Sequence, residues 1–129
     1  MDKKALVFSA FYGAMAVVLG ALGAHALKSV LTSDQLASFE TAVKYQMYHS
    51  LGLLILSFAG SRLPQKYFVF TRNAFISGVI LFSGSLYILS LHGIIGIENY
   101  KWIGPITPIG GLLFILGWIS LLIAAFKAK

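Results

Sequence analysis

The chain has 129 residues, of which 58% are hydrophobic and 11% are charged, and its mean hydropathy is +0.85. A soluble domain is about half apolar and a quarter charged, so this composition predicts an integral membrane protein. The lack of cysteine excludes a disulfide framework and any cysteine-based metal or redox site. The net charge of +6 is not gathered into a basic patch with interleaved aromatic residues, so we expect no nucleic-acid partner.

Short clusters of charge divide the chain into four uncharged stretches, at 5–27, 45–61, 73–97 and 102–126. About 20 helical residues cross a hydrocarbon core of about 30 Å. Three stretches reach that length, and the second does if its helix begins before Lys44. We therefore predict an all-α, four-transmembrane-helix bundle, a single domain over 1–129, with helices at about 3–27, 33–60, 71–96 and 108–127.

The first predicted helix follows a basic start, "MDKK", and contains "AHA" at Ala24–Ala26, so it has the outline of a signal peptide. Its apolar run is longer than the roughly 7 to 15 residues of a signal-peptide core, so we expect it to be retained as a spanning helix. Ala16, Gly20 and Ala24 give this helix a face of small residues, on which another helix can pack closely.

The second predicted helix begins with "TSDQ", which is typical of a capping box between Thr32 and Gln35. No helix breaker follows as far as Gly60, so we predict one long helix. Its first two or three turns are amphipathic, which places them outside the membrane or at its interface.

A basic connection, "SRLPQKYFVFTR" at 61–72, leads to the third predicted helix. An aromatic loop with Trp102 leads to the fourth, for which Thr107 and Pro108 predict the N-cap and the first helical residue. Small or polar residues recur at intervals of seven in every helix, which favours close packing in a bundle. We select three of these positions as packing sites: Gly20, Gly78 and Gly117.

The basic residues predict the orientation. Seven Lys or Arg residues lie in the two termini and the 61–72 connection, and three lie in the other two connections and near the start of the second helix. Because cytoplasmic segments carry the excess of Lys and Arg, we expect both termini to be cytoplasmic.

The stretch "TAVKYQMYHS" at 41–50 places polar and titratable side chains at the start of an apolar segment. Thr41, Tyr45 and His49 recur every four residues, so we expect one stripe that faces the bundle interior in the outer leaflet, opposite His25 or His92. The candidate polar cluster or ligand site comprises His25, Thr41, Tyr45, Gln46, Tyr48, His49 and His92.

Two interpretations of this cluster stay open. Its side chains either form hydrogen bonds between helices, or they bind a lipid, a quinone or another small ligand, because polar groups are costly to bury in a membrane. Metal, haem or proton chemistry is less favoured, because no two histidines are four residues apart and no intramembrane carboxylate accompanies them. The serines also lack a paired acid and base for hydrolysis. We expect no catalytic residue, no metal and no cofactor, and therefore no enzyme.

Four segments, "LGALGAHAL", "FETAVKYQMYH", "FSGSLYILSL" and "GPITPIGGLLFILGW", resemble the YgdD/YwdK-type family of small bacterial membrane proteins. Vertebrate TMEM-class relatives share the pattern. The resemblance covers essentially the whole chain in order. It implies a four-span protein of the bacterial plasma (inner) membrane with an unassigned role. The family has no accepted catalytic residues, so the resemblance assigns none to this chain.

We expect a binding or scaffold component of the membrane. The alternative is a subunit of a small oligomeric transporter or channel, since four short helices packed on glycines leave little room for a pore within one copy. Membrane lipids are the expected partners, together with a homo-oligomer or a larger membrane complex.

Overall fold

The computed structural model describes all 129 residues, and its regular structure is entirely helical. A π-helical turn, Val79–Ser83, joins the helices Gln65–Gly78 and Gly84–Ile95 in one continuous helix, and short 3-10 turns lie at Gly60–Arg62 and Lys101–Ile103. The chain thus forms four long helical segments, which matches the predicted number. The five α-helices are α1 (Lys3–Ala24), α2 (Ser33–Ala59), α3 (Gln65–Gly78), α4 (Gly84–Ile95) and α5 (Ile106–Lys127).

Three helical segments are long and apolar enough to cross a membrane: Lys3–Ala24, Gln65–Ile95 and Lys101–Lys127. The α2 helix is not among them, and its first half carries Asp34, Glu40 and Lys44. The structure is therefore that of an all-α protein with at least three segments suited to a bilayer.

The predicted capping box at the start of α2 is confirmed. The Gln35 backbone N–H donates to the Thr32 hydroxyl at 3.2 Å, and the Thr32 backbone N–H donates to Oε1 of Gln35 at 3.0 Å. These two bonds satisfy amides that lack partners within the helix, so the boundary is fixed locally by sequence.

Two helix starts differ from the prediction. The third helix begins at Gln65 rather than near residue 71, because the Pro64 carbonyl accepts the backbone N–H groups of Tyr67 and Phe68 and starts the helix within the basic connection. The α5 helix begins at Ile106, so Thr107 lies inside it and is not its N-cap. The hydroxyl of Thr107 instead forms a hydrogen bond with that of Ser85 on α4.

The helices pack in a definite order. The α1 helix lies along α2, while α2 also packs on α3, the π-helical turn and α4, and α5 packs on α3 and the π-helical turn. The apolar core lies between them and includes Tyr12, Leu53, Leu56, Phe75 and Phe114.

Many polar side chains are buried beside the apolar core, and many large apolar side chains lie on the surface. Ten polar side chains are buried, among them Gln46, His49 and several serines, and every buried side-chain nitrogen or oxygen has a hydrogen-bond partner. Large apolar side chains such as Val17, Ile55 and Ile115 are exposed. This distribution suits lipid contact outside and satisfied polar groups inside.

Two of the three glycines selected as packing sites lie in tight contacts. A Cβ atom at Gly78 would lie 2.5 Å from the Phe114 ring, and one at Gly117 would lie 2.7 Å from the Phe75 ring. Gly20 is looser, because its Cβ would meet only Val43, at 3.4 Å. The closest approach to a neighbouring backbone is at Gly110, where a Cβ would overlap the backbone of Phe82 in the π-helical turn.

Charge divides between the two ends of the bundle. The basic end is formed by the starts of α1 and α3 and the ends of α2 and α5, and there Asp2 pairs with Arg72 at 2.8 Å. Seven basic residues and one acidic residue lie at this end, against three basic and three acidic residues toward the other. The whole net charge therefore belongs to the basic end.

Candidate functional site

The polar cluster is built on one face of α2. The buried residues of that face recur at helical spacing and are Phe39, Ala42, Gln46, His49, Ser50, Gly52, Leu53, Leu56 and Ser57. Gln46 and His49 are the two predicted cluster residues on it, and His49 is only 3% exposed. The α2 helix therefore turns two polar side chains into the bundle.

Gln46 connects three helices through its side-chain amide. Its Nε2 donates to the Tyr12 carbonyl on α1 at 2.9 Å, and its Oε1 accepts from the Tyr87 hydroxyl on α4 at 2.7 Å. The Tyr12 hydroxyl in turn donates to the Ile76 carbonyl on α3 at 2.9 Å. We call Tyr12, Gln46 and Tyr87 the Gln46 network, and it links all helices except α5.

His49 lies in an aromatic stack with Phe75, Phe114 and Trp118, here called the His49 stack. Its ring is nearly parallel to that of Phe114, with centroids 3.6 Å apart, and it meets the Phe75 ring edge-on at 5.0 Å. The indole N–H of Trp118 donates to Nε2 of His49 at 3.0 Å. This stack joins α2 to α3 and α5.

The two hydrogen bonds of His49 define its tautomer. An indole N–H only donates, so Nε2 accepts and carries no proton. Nδ1 lies 2.7 Å from the Tyr45 carbonyl, which only accepts, so Nδ1 carries the proton. The ring is neutral, and neither nitrogen has a free position for a metal or a haem iron in this arrangement.

Three predicted cluster residues on α2 lie at the edge of its buried face or outside that face. The Thr41 hydroxyl donates to the Ala37 carbonyl of its own helix, while Tyr45 is 40% exposed and Tyr48 is 54% exposed. The expected Thr41, Tyr45 and His49 stripe was wrong because each step of four residues advances about 40° around a helix. Only its last member therefore reaches the interior.

The other two histidines lie apart from His49. His25 is the exposed residue after α1, and His92 stacks on Tyr100 with ring centroids 3.7 Å apart. The expectation that His49 faces one of them was wrong, because both lie at the end of the bundle opposite the basic end. His49 faces aromatic side chains instead.

Contacts between α1 and α2 show where the polar cluster lies along the bundle axis. At one end the Asp2 N–H donates to the Ser57 carbonyl at 2.7 Å, and at the other a Cβ on Gly23 would lie 3.0 Å from the Phe39 ring. Residues 39–57 of α2 thus lie beside the full length of α1, and His49 is near their middle.

The part of α2 that contacts α1 extends beyond Lys44 as far as Phe39. His49 consequently lies about 15 Å from that end, at 1.5 Å per residue.

The sequence contained signals for the residues that were missed. Tyr12, Tyr87 and Trp118 lie within apolar helices, away from the ends where interfacial aromatic residues gather. A tyrosine hydroxyl or an indole N–H at such a position needs a buried partner. Their partners are Ile76, Gln46 and His49.

Serine and threonine hydroxyls complete the contacts between helices. Ser9 and Ser50 each donate to the other's backbone carbonyl, at 2.8 and 2.7 Å, and Ser83 donates to the Ala42 carbonyl at 2.8 Å. Thr71 donates to the Gly117 carbonyl at 3.3 Å. Such bonds fix the register of neighbouring helices in a membrane.

Apolar surface, internally paired polar groups and long apolar helices together define an integral membrane protein of helical class. Residues 19–111 match the family described as "Protein of unknown function (DUF423)". The chain belongs to this family, as its resemblance to YwdK-type proteins predicted.

Full-length relatives agree with this assignment. The UPF0382 membrane protein YwdK of Bacillus subtilis is 40% identical over 126 residues, which cover 97% of this chain and 98% of the relative. The UPF0382 membrane protein SAB0533 of Staphylococcus aureus is 44% identical over 97% of both chains. A UPF0382 membrane protein of Haemophilus influenzae is 38% identical over 100% of this chain and 98% of its own. No solved structure matches the chain.

Proposed function

We propose that this protein is a four-span component of the bacterial plasma membrane, with cytoplasmic termini, that serves a binding or scaffold role and is not an enzyme. The observation that carries the proposal is the pairing inside the bundle. Gln46, His49, Tyr87 and Trp118 bond to one another or to backbone rather than toward an open cleft. Side chains held in this way specify the arrangement of helices.

The position of α2 beside α1 supports the proposal that α2 is the fourth helix that crosses the membrane. Contacts of α2 with α1 run from Phe39 to Ser57, so a bilayer that surrounds α1 also surrounds this part of α2. The remaining turns of α2, with Asp34, would then lie outside the hydrocarbon core. The excess of Lys and Arg at the basic end supports a cytoplasmic position for that end.

Single cysteines test the four-span topology, and the chain has no cysteine of its own. Cysteines at Ser33 and Asn99 should react with an impermeant thiol reagent added outside intact cells, whereas one at Gln65 should react only after the membrane is opened. Outside labelling of Gln65 together with Ser33, with Asn99 protected, would instead mean that α2 does not cross.

Flux through proteoliposomes separates the scaffold role from that of a transporter or channel subunit. We expect the purified protein to leave proton, potassium and chloride permeability at the level of protein-free vesicles. A flux that rises with protein amount and disappears on Gln46→Ala would contradict the scaffold role. The variant Gln65→Ala, at an exposed position, is the matched control.

A further inference from the structure

A trough runs along the outside of the bundle between α3 and α5, starting at the basic end. Its first part has a volume of about 350 Å³ and is lined by Lys66, Tyr67, Phe70, Leu116, Ile119, Ser120 and Ile123. A second part shares Lys66 and Phe70 and continues along α3 as far as Ser77, opposite Leu113. None of these residues belongs to the Gln46 network or the His49 stack.

Along both α3 and α5, the side chains near this α3–α5 trough change from charged at the basic end to apolar further along the helix. On α3, Lys66 is four residues before Phe70, and on α5, Lys127 is four residues after Ile123. Residues four apart lie on the same helix face, about 6 Å apart along the axis. The α3 wall therefore places a cation, Lys66, at the basic end of the trough, and on α5 Lys127 follows the apolar lining on the same helix face and lines the neighbouring groove.

The basic end of the trough adjoins further cations. A neighbouring groove is lined by Arg62 and Pro64 of the connection between α2 and α3, and by Lys127 and Lys129. The Lys66 ammonium lies 4.8 Å from the centre of the Tyr67 ring, which holds it beside the trough. No acidic side chain lines either groove.

We propose that the α3–α5 trough binds an anionic diacyl phospholipid, with its phosphate at Lys66 and Lys127 and an acyl chain along Phe70 and Ile119. Charge complementarity selects the headgroup, because basic pockets between spanning helices attract anionic lipids. From Lys66 to Ser77 the trough is about 16 Å long, which suits an acyl chain. This inference deepens the proposed binding role and rests on the insertion of α3 and α5 in the bilayer.

Native mass spectrometry of the delipidated full chain tests the site with phosphatidylglycerol and phosphatidylcholine of identical acyl chains. We expect tighter binding of phosphatidylglycerol. The double variant Lys66→Gln with Lys127→Gln should weaken that binding roughly 25-fold, at roughly fivefold for each cation near a membrane surface, and should leave phosphatidylcholine unchanged. The control is Lys3→Gln with Lys4→Gln, which removes equal charge from the same end outside the trough.

A second pair of variants tests the apolar part. Ile119→Trp should fill the trough and reduce binding of both lipids, whereas Ile55→Trp, at an exposed position on α2, should not. A photoreactive acyl chain should label peptides that contain Phe70 or Ile119. Circular dichroism confirms that each variant is folded before binding is measured.

Three results would overturn the lipid site: equal loss of phosphatidylglycerol in the two double-lysine variants, no preference between the lipids, or photolabelling confined to other helices. The topology test keeps this failure distinct from failure of the proposed function. If one of these lipid results occurs together with the expected cysteine labelling, only the lipid site is contradicted. Outside labelling of Ser33 and Gln65 with Asn99 protected would contradict the four-span proposal itself.

Discussion

The indole N–H of Trp118 on α5 donates to Nε2 of His49 on α2, with the two nitrogen atoms 3.0 Å apart. These helices share little direct backbone packing, because α3 and the π-helical turn lie between them. The hydrogen bond and the stacking of His49 on Phe114 therefore provide the principal connection between α2 and α5. Both ring nitrogens of this buried histidine are occupied by hydrogen bonds, to Trp118 and to the Tyr45 carbonyl.

The first prediction concerns this hydrogen bond. Trp118→Phe should lower the free energy of unfolding in mixed detergent micelles by about 1 to 2 kcal/mol, because it leaves Nε2 of His49 without a donor. Trp102→Phe is the matched control, since Trp102 is 61% exposed and makes no side-chain hydrogen bond. Equal losses in the two variants would show that the Trp118 bond contributes nothing.

The second prediction separates the structural and ligand interpretations of His49. His49→Gln keeps a hydrogen-bonding group and should be more stable than His49→Leu, which leaves the Trp118 N–H without an acceptor. Nitrogen NMR of the native protein should also show His49 protonated at Nδ1 alone. If both variants were as stable as the native protein yet lost a co-purifying small molecule, the cluster would be a binding site.

The third prediction concerns Gly110, whose Cβ position is occupied by the Phe82 backbone. Gly110→Ala should destabilise the protein by about 1 to 3 kcal/mol, because backbone cannot move aside as a flexible side chain can. Gly93→Ala on α4 is the control, since nothing lies within 4 Å of its Cβ position. That change should be neutral or stabilise the helix by up to about 1 kcal/mol.

Thermal unfolding in detergent measures both glycine variants. A Gly110→Ala protein as stable as the Gly93→Ala protein would mean that α5 moves away from the π-helical turn at no cost. Gly20→Ala should fall between them, because only the flexible Val43 side chain faces it.

The features predicted correctly from sequence are those set by local chemistry. The capping box needs only Thr32 and Gln35, three residues apart, and small residues such as Gly78 and Gly117 mark close packing without any knowledge of the partner. The helical class and the membrane family likewise follow from composition and from motifs that lie in order along the chain.

The features that were missed depend on how the helices pack. A spacing of four residues defines an approximate stripe on α2, but only the neighbouring helices decide that Gln46 is buried and Tyr45 is half exposed. The pairing of His49 with Trp118 joins residues 69 positions apart. The π-helical turn at Val79–Ser83 has no marker in its composition, and its close packing against Gly110 is a property of the folded helices.

The last prediction concerns Asp2, which has two roles at the start of α1. Its Oδ1 accepts the Ala5 backbone N–H at 2.7 Å as an N-cap, and its Oδ2 accepts from the Arg72 guanidinium on α3 at 2.8 Å. Asp2→Asn keeps a capping oxygen and removes the ion pair, whereas Asp2→Ala removes both. The alanine variant should therefore be less stable than the asparagine variant by about 1 kcal/mol, the usual value of a cap.

Salt distinguishes the two contributions in the same unfolding measurement. Raising sodium chloride should reduce the gap between the native protein and Asp2→Asn, because screening weakens the ion pair with Arg72. The gap between Asp2→Asn and Asp2→Ala should stay constant, since an N-cap hydrogen bond is local. Asp34→Asn is the control for loss of one negative charge, because Asp34 lies in the first turn of α2 without an ion pair. Equal stability of the asparagine and alanine variants at position 2 would show that Asp2 acts through charge alone.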